Sequence, residues 1–85
     1  NNMTENDLKE LNFDKIVVTT KESDNEREYY YYELLIMPGL HLVSTDSDET
    51  KNDNWKVKNW DWPAALFPTK ESIIELKKIS QYNHQ

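Results

Sequence analysis

Polar and apolar positions along this chain follow two periods, and the clearest pattern falls in residues 28–45. Glu28-Tyr-Tyr-Tyr-Tyr-Glu-Leu-Leu-Ile-Met-Pro-Gly-Leu-His-Leu-Val-Ser-Thr45 holds most of the strong β-formers and is broken in its middle by Pro38-Gly39. Aromatic and branched side chains suit a pleated, half-buried surface, so the segment predicts two adjacent antiparallel strands. Side chains alternate across a strand. One phase of the first strand, about Arg27 to Met37, therefore groups Tyr30, Tyr32, Leu34 and Ile36, and the other groups Tyr29, Tyr31, Glu33, Leu35 and Met37. The uncharged phase is expected to face the core, and the amphipathic one to be partly covered by a helix or left open for a partner. A Pro-Gly pair favours type I or II turns over the primed turns of tight hairpins, so a loop longer than two residues is expected and the register is left open.

Weaker patterns surround this segment. Thr4 reads as an N-cap with Asp7 at the capping-box position, and Leu8 and Leu11 give one apolar edge to a short helix ending near Asn12, with Phe13 anchoring the chain. Ile16-Val-Val-Thr-Thr20 predicts a strand, and the polar run 22–26 a turn closing a hairpin. Residues 46–54 are wholly polar and read as a solvated connection. Trp55-Lys-Val-Lys-Asn59 alternates, predicting a fourth strand with Trp55 and Val57 inward and Lys56 and Lys58 outward. Thr69 caps the best helical pattern, with Ile73, Leu76 and Ile79 as its packing stripe, Lys77 and Lys78 near its end, and fraying from Ser80. The expected architecture is one α+β domain spanning 1–85. It is a small antiparallel sheet of about four strands, with a C-terminal helix packed on one face and a short N-terminal helix.

Composition changes this picture in three ways. Eighty-five residues with 36% hydrophobic content make a small core, but five Tyr, three Trp and two Phe bury large areas each. The absence of cysteine removes disulfides, thiolate nucleophiles and cysteine zinc sites, and fits a reducing compartment. The net charge of −6 is uneven: residues 1–50 carry twelve acids against four bases, and residues 51–85 four acids against six bases. Nucleic-acid binders show a basic stripe, so direct DNA binding is not expected. An acidic body suits solubility or docking on a basic surface. The apolar run Leu34–Met37 is too short to span a membrane, and the polar start does not read as a signal peptide. The expectation is a soluble protein of a reducing cytoplasm.

No motif names a reaction. With Gly39 as its one glycine, the chain has no phosphate-cradling loop and no dinucleotide fingerprint. Asp46 and Asp48 match the opening of a calcium loop, but Lys51 and Val57 stand where Gly and Glu are needed. His41 and Ser44 lie three apart on a strand and point to opposite faces, so they make no nucleophile–base pair. Asn2-Met-Thr4 matches a glycosylation acceptor, which has meaning only in a secreted protein. The expectation is a protein without catalytic residues, cofactor or metal.

The aromatic clusters are the informative feature. Alternation forces two rings of Tyr29 to Tyr32 away from the core, and Trp55, Trp60 and Trp62 fall within eight residues. Exposed Trp and Tyr among carboxylates are typical interface anchors. The candidate partner-binding residues are Tyr29, Tyr31, Asp46, Asp48, Glu49, Asp53, Trp60 and Trp62. A plainer account lets the rings replace missing aliphatics, and stacking on single-stranded nucleic acid is disfavoured by the charge.

With Glu28-Tyr-Tyr-Tyr-Tyr-Glu33 and Asn52-Asp-Asn-Trp-Lys-Val57, this small, acidic, cysteine-free, Asn-, Lys- and Tyr-rich chain resembles proteins carried by phages and mobile elements of AT-rich bacteria. Among these it is similar to anti-CRISPR proteins. The resemblance is one of style over the whole chain and transfers no site residue. It implies a non-enzymatic inhibitor that binds a large basic CRISPR effector nuclease, of the RNA-guided, RNA-cleaving type VI class, with its guide RNA. The carboxylates of 22–28 and 46–53 would meet Lys and Arg of the nuclease, disturbing guide or target RNA handling. A generic protein-interaction or immunity module and, further off, a small enzyme are the alternatives. A monomer or an edge-paired homodimer is compatible with so small a sheet.

Overall fold

A meander of four antiparallel strands, in the order β1-β2-β3-β4, carries its first and last helices on one side. The computed structural model describes residues 3–23, 27–61 and 69–83. The strands are β1 (Asp14–Val18), β2 (Tyr29–Met37), β3 (Leu40–Ser44) and β4 (Val57–Asn59), and the helices α1 (Glu5–Glu10), α2 (Thr20–Ser23) and α3 (Lys70–Asn83). This is the small α+β fold that the patterning predicts.

The six-residue α1 is fixed at both ends by local chemistry. Thr4 Oγ1 accepts from the Asp7 backbone N–H at 3.1 Å, and the Asp7 carboxylate accepts from the Thr4 backbone N–H at 3.0 Å, closing a capping box. Met3 precedes the cap and Leu8 stands at the fourth helical position, the two places of a hydrophobic staple, and both are buried in the core. At the other end Asn12 takes φ 67°, Phe13 N–H donates to Leu8 O and Asn12 N–H to Lys9 O, both at 3.0 Å. That bond pair is a Schellman motif, and it delivers Phe13 into the core next to Leu8.

The inner face of the sheet is built from the uncharged phase of β2. Tyr32 is 1% exposed, and Tyr30, Leu34 and Ile36 pack against a cluster that includes Leu42, Val57, Leu8, Leu11 and Ile73. Trp55 stacks on Tyr30 at 5.8 Å and meets Tyr32 edge-on at 5.4 Å, so three rings supply core area that aliphatics would otherwise provide. Tyr32 is buried with its hydroxyl bonded to the Glu5 carboxylate, and burial first, then this acceptor, pushes its phenol above the ordinary tyrosine range.

Several boundaries differ from the sequence expectations, each for a local reason. Strand β1 begins at Asp14 rather than Ile16, because the Schellman turn releases the chain at Phe13. Residues 20–23 form a helical turn instead of an all-loop connection. Residues 24–26 lie outside the described set. Trp55 lies outside β4; it is joined by an isolated bridge to Met3, with N–H···O distances of 2.7 and 3.0 Å. The β2–β3 loop is two residues long, Met37 pairing with Leu40 across Pro38-Gly39, where Gly39 has the positive φ of 85° that a type II turn requires. A register shift between Leu35 and Met37 accommodates that turn.

Helix α3 packs through Ile73 as expected, with Leu76 half-buried, but its stripe departs from the expected one at Ile79. Ile73 is fully buried and Ser80 is buried with its hydroxyl donating to Ile36 O at 2.9 Å, whereas Ile79 is 52% exposed. The spacing 73, 77, 80 turns Lys77 toward α1, where its ammonium donates to Leu11 O at 2.7 Å. Lys70 reaches Asp7 at 3.0 Å and Glu10 at 3.1 Å. The helix runs on to Asn83, so Lys77 and Lys78 are not in its last turn. At its start Thr69 and Ser72 exchange backbone-to-hydroxyl bonds at 2.8 and 3.1 Å, a capping box with serine in the third position.

Candidate protein interface on the outer sheet face

Helices α1 and α3 occupy the inner side, and this leaves the second phase of β2 on the opposite surface. Antiparallel partners share a face, so the pairings Ile16↔Tyr31, Glu33↔Val43, Leu35↔His41 and Val43↔Lys58 identify its members strand by strand. Tyr29, Tyr31, Glu33, His41, Val43, Lys56, Lys58 and Trp60 line a shallow groove of about 520 Å³, rimmed by Asp46 and Glu49. Leu35, on the same face, is 66% exposed, and Trp60 59%.

Local chemistry places the rings. The connection after β3 is more ordered than a solvated loop. Asp46 Oδ1 accepts from Glu49 N–H at 2.8 Å, Thr50 N–H and hydroxyl both donate to Asp46 O, and Ser47 exchanges bonds with the Tyr30 backbone at 2.7 and 3.0 Å. These bonds hold the acidic turn against the start of β2, beside Tyr29 and Tyr31. Trp60 is held by its N–H to His41 O at 2.7 Å, while Asn59 Oδ1 accepts from the backbone of His41 and of Asp61, each at 3.2 Å. Lys58 Nζ sits 5.4 Å from the Trp60 ring centre, within cation–π range.

Electrostatically the groove is mixed. Glu33 Oε2 and His41 Nε2 are 3.0 Å apart, both about one-third exposed. Burial, and after it the negative charge of Glu33, raises the Tyr31 phenol above its ordinary value, so this ring stays neutral and available for packing. Ser44, which also borders the groove, is buried; its hydroxyl donates to Thr45 O and accepts from Tyr32 N–H, so it is engaged away from His41. Among the described residues no three His, Asp or Glu side chains are grouped to hold a metal ion, and no helix is long and apolar enough to cross a membrane.

Comparisons with protein-family models, curated proteins and solved structures returned no match.

Of the candidate binding residues, Tyr29, Tyr31, Asp46, Glu49 and Trp60 converge on this one groove. Asp48 lies on the same acidic turn, exposed, 3.9 Å from Arg27. Asp53 belongs elsewhere: its Oδ1 accepts from Glu5 N–H and from the Trp55 indole N–H, both at 2.9 Å, which ties α1 to the core. Trp62 lies outside the described residues. The groove also takes in Glu33, His41, Val43, Lys56 and Lys58, which the sequence reading did not select. The signal for Glu33 is its alternation with Tyr29 and Tyr31 along β2; for the others it is the β2–β3–β4 register, which depends on the Pro38-Gly39 turn.

Proposed function

We propose that this chain is a non-catalytic binding protein that docks on a larger protein through the outer face of its sheet. The observation that supports this reading is the convergence of Tyr29, Tyr31 and Trp60 with the acidic turn on one open surface. Rigid aromatic rings give large contact area at small entropic cost, and carboxylates at their rim steer and orient a basic partner. Within this class we place the chain among anti-CRISPR inhibitors, acting on a large RNA-guided RNA nuclease bound to its guide RNA. That narrower reading rests on the resemblance of composition and on the −6 net charge. Inhibition would then proceed by occupancy: the chain covers a basic surface that guide or target RNA needs, and no bond is made or broken.

The test is capture from lysate of a bacterium carrying a type VI locus, with the natural chain and a Tyr31→Ala/Trp60→Ala variant, each with and without RNase. The reading expects one large basic nuclease with the natural chain and little with the variant. Equal recovery by both chains would remove the outer face from the contact. Recovery of a different single protein, sensitive to the variant, would retain the binding surface and remove the nuclease.

A further inference from the structure

Across its strands the outer face has a charge order that docking on a basic partner does not use. Register sets its side chains in rows: Asp14, Glu33, Val43 and Lys58 lie side by side on β1, β2, β3 and β4. In the next row Ile16 pairs with Tyr31, and Thr45, just beyond β3, binds Lys56 O through its N–H at 2.8 Å. In the first row the acids therefore stand on the β1–β2 half and Lys58 on β4, with Val43 between them; Lys56 continues the β4 side in the second row, His41 lies on β3, and Asp46 and Glu49 stand at the groove rim.

The row from Asp14 to Lys58 is complementary to itself in one orientation. A two-fold axis parallel to the strands lays β1 and β2 of one copy over β4 and β3 of another, so Asp14 opposes Lys58 of the second copy twice over. Tyr31 and Val43 then fill the centre. A two-fold axis across the strands through this row stacks Asp14 on Asp14 and Lys58 on Lys58 and is disfavoured. Isologous pairing of this kind needs one patch that complements itself, and face-to-face sheets pack about 10 Å apart with strands within about 30° of alignment.

We propose that the free chain forms a weak homodimer through its outer sheet face, a second copy being the occupant until a larger partner displaces it. Four strands about 4.8 Å apart and about five residues at 3.3 Å give a patch of roughly 19 by 17 Å. That is smaller than the roughly 800 Å² per partner of a standard interface, so the pairing is reversible on dilution. It shares its surface with the docking reading and fails independently of it, since a monomer can still bind a foreign protein.

Sedimentation equilibrium over a concentration series tests this on the natural chain, Asp14→Lys, Lys58→Glu and the double swap, with circular dichroism confirming that each is folded. The natural chain is expected to dimerise reversibly. Each single swap puts like charges opposite one another at both symmetric positions and is expected to weaken the dimer by about tenfold or more, a loss of about 1.4 kcal/mol. The double swap restores the opposite-charge pairs and is expected to return the affinity to within about threefold of the natural value. A chain that stays monomeric at every concentration overturns the proposal. So does a dimer indifferent to all three variants, which would assign the contact to the free edge of β1 instead.

Discussion

The two faces of one four-residue run, Tyr29 to Tyr32, have opposite fates. Tyr32 points inward, is sealed by Trp55 and Leu42, and gives its hydroxyl to Glu5, while Tyr31, one residue earlier, lies in an open groove beside Glu33. Chemically the residues are identical. What separates them is the company that register provides. On the inner side α1 and α3 bring Leu8, Leu11 and Ile73, so apolar area is removed from water and the ring contributes to stability. On the outer side the neighbours are His41, Lys56, Lys58 and Trp60, so the ring keeps its area available for another molecule. Aromatic content alone therefore says little about function in a domain of this size; the face on which each ring falls says more.

The largest expected effect breaks this comparison at its centre. Tyr32→Ala removes a fully buried ring and its bond to Glu5, and is expected to cost about 3–5 kcal/mol, lowering the melting midpoint by at least about 12 °C. Tyr31→Ala is expected to cost under about 1 kcal/mol. Thermal melts of both variants check the pair, and equal losses would contradict the two-face account.

An intermediate effect concerns what holds α1 over the inner face. Thr4→Ala removes the cap that Asp7 N–H uses and is expected to cost about 1 kcal/mol, or about 4–8 °C in melting midpoint. Thr4→Ser, which keeps the acceptor, is expected to lie close to the natural chain. An equal loss in both would show that the Thr4 methyl group, and not the cap, matters.

The smallest effect is a dependence on pH, and it belongs to the inner side. The Tyr32 phenol is raised above its ordinary 10.0 by burial and by Glu5, and the Lys70 ammonium above 10.5 by its bonds to Asp7 and Glu10. A raised value in the folded state means stability that is complete below the ordinary value and lost as pH climbs past it. Asp7 runs the other way. Its carboxyl is held below 3.8 by the Thr4 backbone N–H and by Lys70, so its contribution is present above 3.8 and lost as pH falls further. The melting midpoint is thus expected to decline above about pH 10 and below about pH 4. Tyr32→Phe should flatten part of the alkaline limb, and an unchanged limb would remove Tyr32 from that role.

Much of the fold was legible because it is written in local chemistry. The Thr4–Asp7 box, the alternation of Tyr29 to Ile36 and the inward Val57 each follow from nearest neighbours in sequence. Met3 and Asn12 could also have been read, as the staple position before a cap and the left-handed position after a helix. Ile79 falls off the buried side because helical spacing allows more than one stripe, and the one adopted sets Ser80 against Ile36 O and Lys77 against Leu11 O. Asp53 also holds a structural place that the sequence did not show, because its partners, Glu5 N–H and the Trp55 indole, are set by tertiary placement of α1. In the groove, Tyr29, Tyr31 and Glu33 were legible by alternation, and Trp60 by its clustering with the other tryptophans. His41, Val43, Lys56 and Lys58 joined them only through cross-strand register, which a polar connection and an ambiguous Pro-Gly turn left unspecified.

One paired measurement bears most directly on the claim that the inner face makes the fold and the outer face makes the contact. The Tyr31→Ala/Trp60→Ala chain is melted and, in the same preparation, titrated by calorimetry against the protein that the natural chain captures. The account predicts a melting midpoint within a few degrees of the natural value and an affinity reduced by about 2 kcal/mol or more. A collapsed midpoint, or undiminished affinity in a folded chain, would contradict it.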